Sequence, residues 1–385
     1  MKKRVAIAYN FNDKDWLGGK NYFASLFHAL HAIDDETIQL VLVTGTRTKT
    51  TLPAEFPFLE VHRTPMLDRK HPLWFLRQLT LRTLDSDPLF AGYLKRLRID
   101  VLSHSGCLGR NPGIKTLPWL FDFQFMHLPT HWTPRQLRWV SKRYASACSQ
   151  GDGVIVSSQD ALNDLRKFKP NSRAPIHVLQ FVSNPVDITN LPSLALIQER
   201  HGVAHQYFHL PNQFWTHKNH RIVIDALCTL KALGVHTQVV CTGSKSDPRS
   251  PLYFENLMSH CREVGVADAF NVLGVLPYAD TQTLMAHATA VINPSFFEGW
   301  STTVEEAKTL GKRLLLSDIP VHREQSPELG HFFRPDDAGS LAKLMLLCME
   351  TPQTVASADE ITASYRQRSD DFARSYTSIL QEVVL

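Results

Sequence analysis

Along the 385 residues, short apolar runs alternate with stretches in which apolar side chains recur at helical spacing. Residues 4–10 (RVAIAYN) form a run suited to a buried strand. The segment from Phe11 to Gly19 reads as a loop, and Phe23, Leu26, Phe27 and Leu30 then mark an amphipathic helix. Residues 39–45 (QLVLVTG) supply a second strand, so the chain opens βαβ and its sheet is expected to be parallel. Further strands fall at 100–105, 117–122, 153–158 and 177–182, with a helix over 159–168 capped by Ser157-Ser158. A second series starts at Tyr207, with strands at 207–212, 237–243, 270–274, 290–295 and 313–318 and helices from about Asn219, over 252–264 and over 279–287. Between the series, 183–206 holds Asn184-Pro185, Asn190, Pro192 and a short helix pattern from Leu194 that Ser193 can cap. It reads as a linker rather than core. The pattern predicts an α/β protein of two doubly wound domains with a cleft between them.

One stretch of the second series carries the most chemistry. In 291–311 (VINPSFFEGWSTTVEEAKTLG) a strand meets Pro294, which ends its ladder, and a helix is expected to start at Thr302 or Thr303 and stop at Gly311. Glu298 and Glu306 then flank a helix N-terminus, whose free N–H groups favour an anion. Carboxylates at both edges are poor phosphate ligands and good acceptors for the hydroxyls of a sugar that also carries phosphate. The same spacing equally serves plain capping and solvation of the helix.

Other candidates lie at strand ends. Gly18-Gly19, at the start of the first helix, allow backbone N–H groups to approach a phosphate, although no Walker loop or GxGxxG follows. The strand at 117–122 runs into Asp122, Gln124 and His127, where an open α/β sheet keeps its ligands. A histidine among aromatics is as readily structural. In the loop 212–220 (NQFWTHKNH), Lys218 is a point charge suited to a diphosphate just before a helix, with Asn212 and Gln213 as neutral donors. Residues 61–98 interleave basic residues with Leu67, Leu73, Trp74, Phe75, Leu76, Leu79 and Leu81. That composition suits either an anionic membrane surface or a core-packed helix with a solvated basic face. Asp85-Ser86-Asp87 has the look of a metal-binding DxD, but Pro88 follows and a helix-capping turn fits better.

Composition narrows the class. A formal charge of +4 gives no reason to expect a nucleic-acid partner. Six cysteines without a CxxC pair argue against a zinc site or disulfide framework and suit a reducing cytoplasm. No stretch approaches the roughly 18–20 apolar residues of a membrane span. A soluble, cytoplasmic protein is expected, with peripheral contact at the inner membrane face open through 61–98.

Together these residues resemble the GT-B-fold glycosyltransferases of the large retaining family numbered four. The stretch NPSFFEGWSTTVEEAKTLGKRLLLSDIPVHRE is similar to its E-x7-E signature, while WLGGKNYF, DFQFMHLP and NQFWTHKNH resemble bacterial members that build surface polysaccharides. The resemblance implies two Rossmann-like domains facing each other across a cleft: an acceptor-side domain at 1–184, a nucleotide-sugar domain at 185–366, and a C-terminal helix at 367–385 packing back on the first domain. It implies that Glu298 contacts the donor hexose and that the backbone of Gly299, Trp300, Ser301, Thr302 and Thr303 holds its sugar and phosphate. Glu306 would take the ribose, Lys218 the diphosphate, Gly19 would close over it, and His127 would face the transferred sugar. The base is placed near Val275 and Leu276. Metal and cofactor are expected to be absent, with a nucleotide sugar as donor and a saccharide or lipid-linked saccharide as acceptor. One departure stands out: Gln213 occupies the position where such enzymes commonly carry an arginine. Two rival readings are a sugar-nucleotide epimerase of similar fold and a non-catalytic carbohydrate-binding or scaffold subunit.

Overall fold

The computed structural model describes residues 2–13, 17–110, 112–184, 190–351 and 358–384. Residues 14–16 of the expected first loop and 185–189 of the expected linker, with the start of the second domain at Pro185, lie outside the described residues. Contacts divide the chain into two compact units, Met1–Met126 with Thr133–Asn184 and Gln367–Leu385, and His127–Trp132 with Pro185–Arg366. The short segment 127–132, expected in the first domain, therefore belongs with the second unit.

In the first unit, β1 (Lys3–Tyr9), β2 (Ile38–Thr44), β3 (Glu60–Arg63), β4 (Val101–Ser103) and β5 (Lys115–Leu117) form one sheet in the order β3-β2-β1-β4-β5. Every pairing is parallel, which explains why β1 reads as an unbroken apolar run: Val5, Ala6 and Ile7 are buried. The strand expected at 117–122 is two short ones. Pro118, which has no N–H to give, separates β5 from β6 (Trp119–Leu120), and β6 joins β7 (Val154–Val156) and β8 (Ile176–Val178) in a three-stranded parallel sheet. A helix over Pro134–Gln150, absent from the sequence reading, starts at a capping box in which Thr133 and Gln136 bond each other's backbone N–H. The C-terminal helix runs over Ala358–Val384, longer than expected, and its Tyr376 hydroxyl bonds Ser103 Oγ at 2.8 Å, fastening it to the end of β4.

The basic-aromatic segment holds the helices Pro72–Thr83 and Pro88–Arg96. Asp87 caps the second by accepting from Phe90 N–H at 3.1 Å and also binds buried Arg77, so Asp85-Ser86-Asp87 is a helix-start turn. Among the described residues no group of three or more His, Cys, Asp or Glu side chains could hold a metal ion, and no helix is long and apolar enough to cross a membrane.

The second unit is one six-stranded parallel sheet of β9 (Tyr207–Leu210), β10 (Gln238–Thr242), β11 (Phe270–Gly274), β12 (Val291–Asn293), β13 (Leu314–Ser317) and β14 (Gly330–Phe333). Its order is β11-β10-β9-β12-β13-β14. The last strand was missed in the sequence, because GHFF is short and only its Phe333 is buried. The helix Leu194–His201, capped by Ser193, is not linker: Ile197 and Val203 are buried against Tyr207, Val240 and Leu284. The chain reverses direction of growth between β9 and β12, and at such a switch point the loops leaving the two strands part to open a crevice at their carboxyl ends.

Candidate active site

The two loops that leave β9 and β12 at this switch point are sewn together by amides. Asn212, just beyond β9, donates from Nδ2 to Asn293 Oδ1 at 3.0 Å, and Asn293 Nδ2 donates to Ser301 Oγ at 2.7 Å. Thr303 Oγ1 donates to Asn212 Oδ1 at 3.4 Å, so both ends of the Asn212 amide are engaged inside the fold. Asn219 adopts φ +55°, a conformation asparagine tolerates, and its Nδ2 donates to the carbonyls of Pro294 and Pro335. Phe296 N–H donates to His217 O at 2.8 Å. Gly243, at φ +137°, closes the neighbouring loop: a Cβ there would sit 2.5 Å from the Asn212 carbonyl oxygen, a contact only glycine avoids.

This framework brings Lys218 and Glu298, eighty residues apart, into one ion pair with Nζ 2.6 Å from Oε1. Burial alone would raise the Glu298 carboxyl, but the Lys218 charge beside it holds it below the usual carboxylate range. Ser295 Oγ lies 2.7 Å from Glu298 Oε1 and 2.8 Å from Asn293 Oδ1, with a single proton to share between them. Two histidines flank the pair and carry no charge at neutral pH. Burial, reinforced by Lys218, pushes His217 down to about 3, and burial lowers His322, whose Nδ1 lies 2.9 Å from the Ser317 carbonyl.

Glu306 sits in the helix Thr302–Thr309, where the Tyr278 hydroxyl donates to its Oε1 at 3.3 Å. Burial pushes this carboxyl up to about 7, against the pull of that hydrogen bond. The two glutamates of the motif therefore differ in kind: Glu298 is ionised and paired, while Glu306 titrates near neutrality.

Several expectations need correction. The cap of this helix is Ser301, not Thr302 or Thr303; its Oγ accepts from Val304 N–H. The Ser301 backbone is also spoken for, since its N–H donates to Gln325 Oε1 at 3.2 Å and its carbonyl accepts from Gln325 Nε2 at 3.0 Å. Ser301 and Thr303 are buried with their side chains bonded inside the fold, whereas Gly299, Trp300 and Thr302 stay partly exposed. Asn212 is buried and bonded inside the fold too, and Gln213 beside it is exposed. Of the pair assigned to the base, Val275 is 75% exposed at the end of β11, but Leu276 packs against the cluster around Tyr207 and Val240. Gly18 and Gly19 do lie at the start of the first helix, Leu17–Ala32, in its first turn, so the loop before it ends short of them; Gly18 is exposed and Gly19 buried. His127 is exposed, its ring centroid 5.0 Å from that of Phe297 in the same unit.

Some neighbours were not foreseen. Tyr278 and the His217–His322 flank emerge only once the loops are folded together. Lys245, in the loop after β10, is exposed, with its ammonium 5.4 Å from the Phe254 ring centroid. It stands two residues beyond Gly243, whose Cβ position is 2.9 Å from Gln213 Cα. The loop that carries this cation thus packs against the backbone of Gln213, and the signal for it was the lysine two residues past the end of a predicted strand.

Comparison with known proteins fits this geometry. Residues 205–365 match the family model described as glycosyl transferases group 1, a region that contains Lys218, Glu298 and Glu306. No curated protein matches the sequence. Among solved structures, Anabaena HepE in complex with UDP and glucose superposes with a TM-score of 0.68 at 17% identity, covering 98% of this chain and 99% of that one. A Rickettsia africae glycosyltransferase gives 0.67 at 15% identity over 100% and 99%. WaaG, a glycosyltransferase involved in lipopolysaccharide biosynthesis, gives 0.60 at 15% identity over 96% and 95%. The chain has the GT-B fold of two Rossmann-like units, and its second unit carries the glycosyl transferases group 1 match.

Proposed function

We propose that this chain is a retaining glycosyltransferase that moves a hexose from a nucleotide-diphosphate sugar to a saccharide or lipid-linked saccharide acceptor in surface polysaccharide synthesis. The observation that carries the reading is the Lys218–Glu298 pair at the β9/β12 switch point, inside the group 1 match and eight residues ahead of Glu306. A cation there suits a diphosphate leaving group, Glu298 suits the hexose hydroxyls, and Glu306 suits the ribose.

Lys218 has three N–H donors, so it can turn toward phosphate oxygens without abandoning Glu298. In the proposed step the bond from the sugar carbon to the diphosphate oxygen breaks while the acceptor oxygen bonds that carbon on the same face. The acceptor's proton passes to the departing diphosphate. Lys218 stabilises the charge that grows there, a contribution that grows with water exclusion. No metal is required for this account, so transfer is expected to persist in EDTA.

HepE holds UDP and glucose, and UDP-sugars are the first donors to try. A thermal-shift screen of UDP, GDP and dTDP sugars identifies the donor, since a ligand at 100 times its dissociation constant adds about 2.7 kcal/mol of stability. Product analysis with that donor then decides the reaction. A new glycoside with the donor's anomeric configuration supports the reading; an epimerised nucleotide sugar in the absence of acceptor, or inverted configuration, overturns it.

A further inference from the structure

The first unit presents two helices whose outward faces are chemically unusual. In Pro72–Thr83 the buried central residue is Arg77, while Phe75, Leu76 and Leu79 are 56%, 45% and 56% exposed and Leu84 just beyond is 64% exposed. The helix is turned with its apolar side to solvent, because Arg77 is held inward by Asp87 and the Met66 carbonyl. Exposed Arg69, Lys70 and Arg82 flank that face, and no acid occurs from 69 to 84.

The second is Pro134–Gln150. Its buried side is Val140, Tyr144, Ala147 and Cys148. Its exposed stripe, at spacings of three and four, is Arg135, Arg138, Trp139, Lys142 and Arg143, with Trp139 61% exposed and the Arg143 guanidinium 5.5 Å from its ring centroid. No acid occurs from 123 to 151. The end of this helix adjoins the turn after the first: Gln150 Nε2 donates to Asp85 Oδ2 at 2.6 Å.

We propose that the outward faces of Pro72–Thr83 and Pro134–Gln150 form a docking surface for an anionic lipid bilayer. Charge complementarity names the occupant: an acid-free stripe of four cations around a tryptophan matches a layer of anionic headgroups. The aliphatic side chains beside it decide between polyanions, since Leu76, Leu79 and Leu84 have no use on a nucleic acid or an acidic polysaccharide, whereas hydrocarbon lies just beneath lipid headgroups. A scatter of single exposed apolar residues is normal for any surface; Phe75, Leu76 and Leu79 together on one side of a helix, with Leu84 exposed at its end, are not. This inference stands apart from the transfer reading, because binding needs neither donor nor acceptor.

The test is co-sedimentation of the full-length chain with vesicles of pure phosphatidylcholine and of phosphatidylcholine with 30% phosphatidylglycerol. Expected is binding to the anionic vesicles alone, weakened by salt. Arg138→Gln with Lys142→Gln should lower it by roughly five-fold per cation, and Leu76→Ser with Leu79→Ser should lower it as well. Each pair alters solvent-facing side chains only, and an unchanged melting temperature confirms that the variants are folded. No binding to anionic vesicles, equal binding to both vesicle types, or undiminished binding by folded variants overturns the proposal. So does a soluble polyphosphate that binds as tightly as vesicles and ignores the leucine changes.

Discussion

Two buried ion pairs, one in each unit, have the same closest N···O distance, 2.6 Å, and opposite character. Arg77 gives Nε and Nη2 to Asp87 Oδ2 and Nη1 to the Met66 carbonyl, and its Cζ lies 4.3 Å from the Phe90 ring centroid. Asp87 spends its other oxygen on capping a helix. Lys218 reaches Glu298 through one hydrogen bond among the described residues, from a flexible stem with two further N–H groups. Both charges sit at the mouth of a sheet switch point, and their side chains are 15% and 10% exposed against 10% and 3% for the first pair. Arg77, held by three hydrogen bonds to two acceptors and packed on an aromatic ring, fixes a fold; a lysine held by one bond beside a ligand crevice is what a site needs. The difference can be broken from either end.

The largest effect is expected at Arg77. Arg77→Ala leaves Asp87 and the Met66 carbonyl buried without their partner and should cost about 3–5 kcal/mol of stability in denaturant unfolding. Transfer per folded molecule should be unchanged, and a loss of turnover in material that still melts normally would place Arg77 in the wrong class. Lys218→Ala should act the other way, cutting transfer by about 10²–10³ while the fold survives. Lys218→Met with Glu298→Gln removes both charges and avoids a stranded carboxylate. Its melting temperature at neutral pH should exceed that of Lys218→Ala, because Lys218 is what holds the buried Glu298 carboxyl ionised. That pair stabilises the folded state above the unfolded carboxylate range, and the contribution fades as pH falls through the depressed folded value. Full transfer activity in Lys218→Ala would end the proposed mechanism.

How far the sequence could be read follows from the same contrast. Strands buried on both faces and helices with an apolar stripe announce themselves locally, and the helix Gln159–Phe168 begins and ends where its periodicity does. The helix Pro134–Gln150 was invisible because its strongest spacing, Arg135, Arg138, Trp139, Lys142, Arg143, faces outward, while its buried stripe includes small Ala147 and Cys148. At the site, Glu298, Glu306 and Lys218 stood out by residue type and position relative to predicted strand ends. What each side chain spends its hydrogen bonds on did not. Asn212 looked like a ligand donor, yet Asn293, 81 residues later, and Thr303 engage both ends of its amide. Ser301 was passed over as the cap because two threonines follow it. Local sequence names the polar residues near a crevice; only tertiary pairing sorts the framework from the free hands.

Asn212→Ala sharpens that sorting. It removes the acceptor of Thr303 Oγ1 and leaves Asn293 Oδ1 with only the Ser295 hydroxyl, which Glu298 also draws on, and should cost about 1–3 kcal/mol. If the amide serves these internal bonds and not the donor, donor KM measured below the melting transition should change little. A many-fold rise in KM at unchanged stability would return Asn212 to the ligand.

Glu306 is where the smallest change in covalent structure should give a readable result. Its carboxyl is raised to about 7 by burial, so the folded state holds a proton that the unfolded chain, with a carboxylate pKa of 4.5, releases. The sign follows: this group makes stability fall as pH rises from about 4.5 to about 7, after which its contribution is constant. If the ionised form accepts the ribose hydroxyls, binding runs the opposite way. Nucleotide-sugar affinity should increase about tenfold from pH 6 to pH 8, the change in ionised fraction around a midpoint near 7. A nucleotide sugar is the right probe, since its diphosphate is esterified at both ends and does not titrate in that window. His217, held at about 3, does not titrate there either. In Glu306→Gln the slope should vanish and affinity should stay at or below the pH 6 value throughout, as calorimetry at several pH values would show. An unchanged slope in that variant would assign the titration to another group and take the ribose from Glu306.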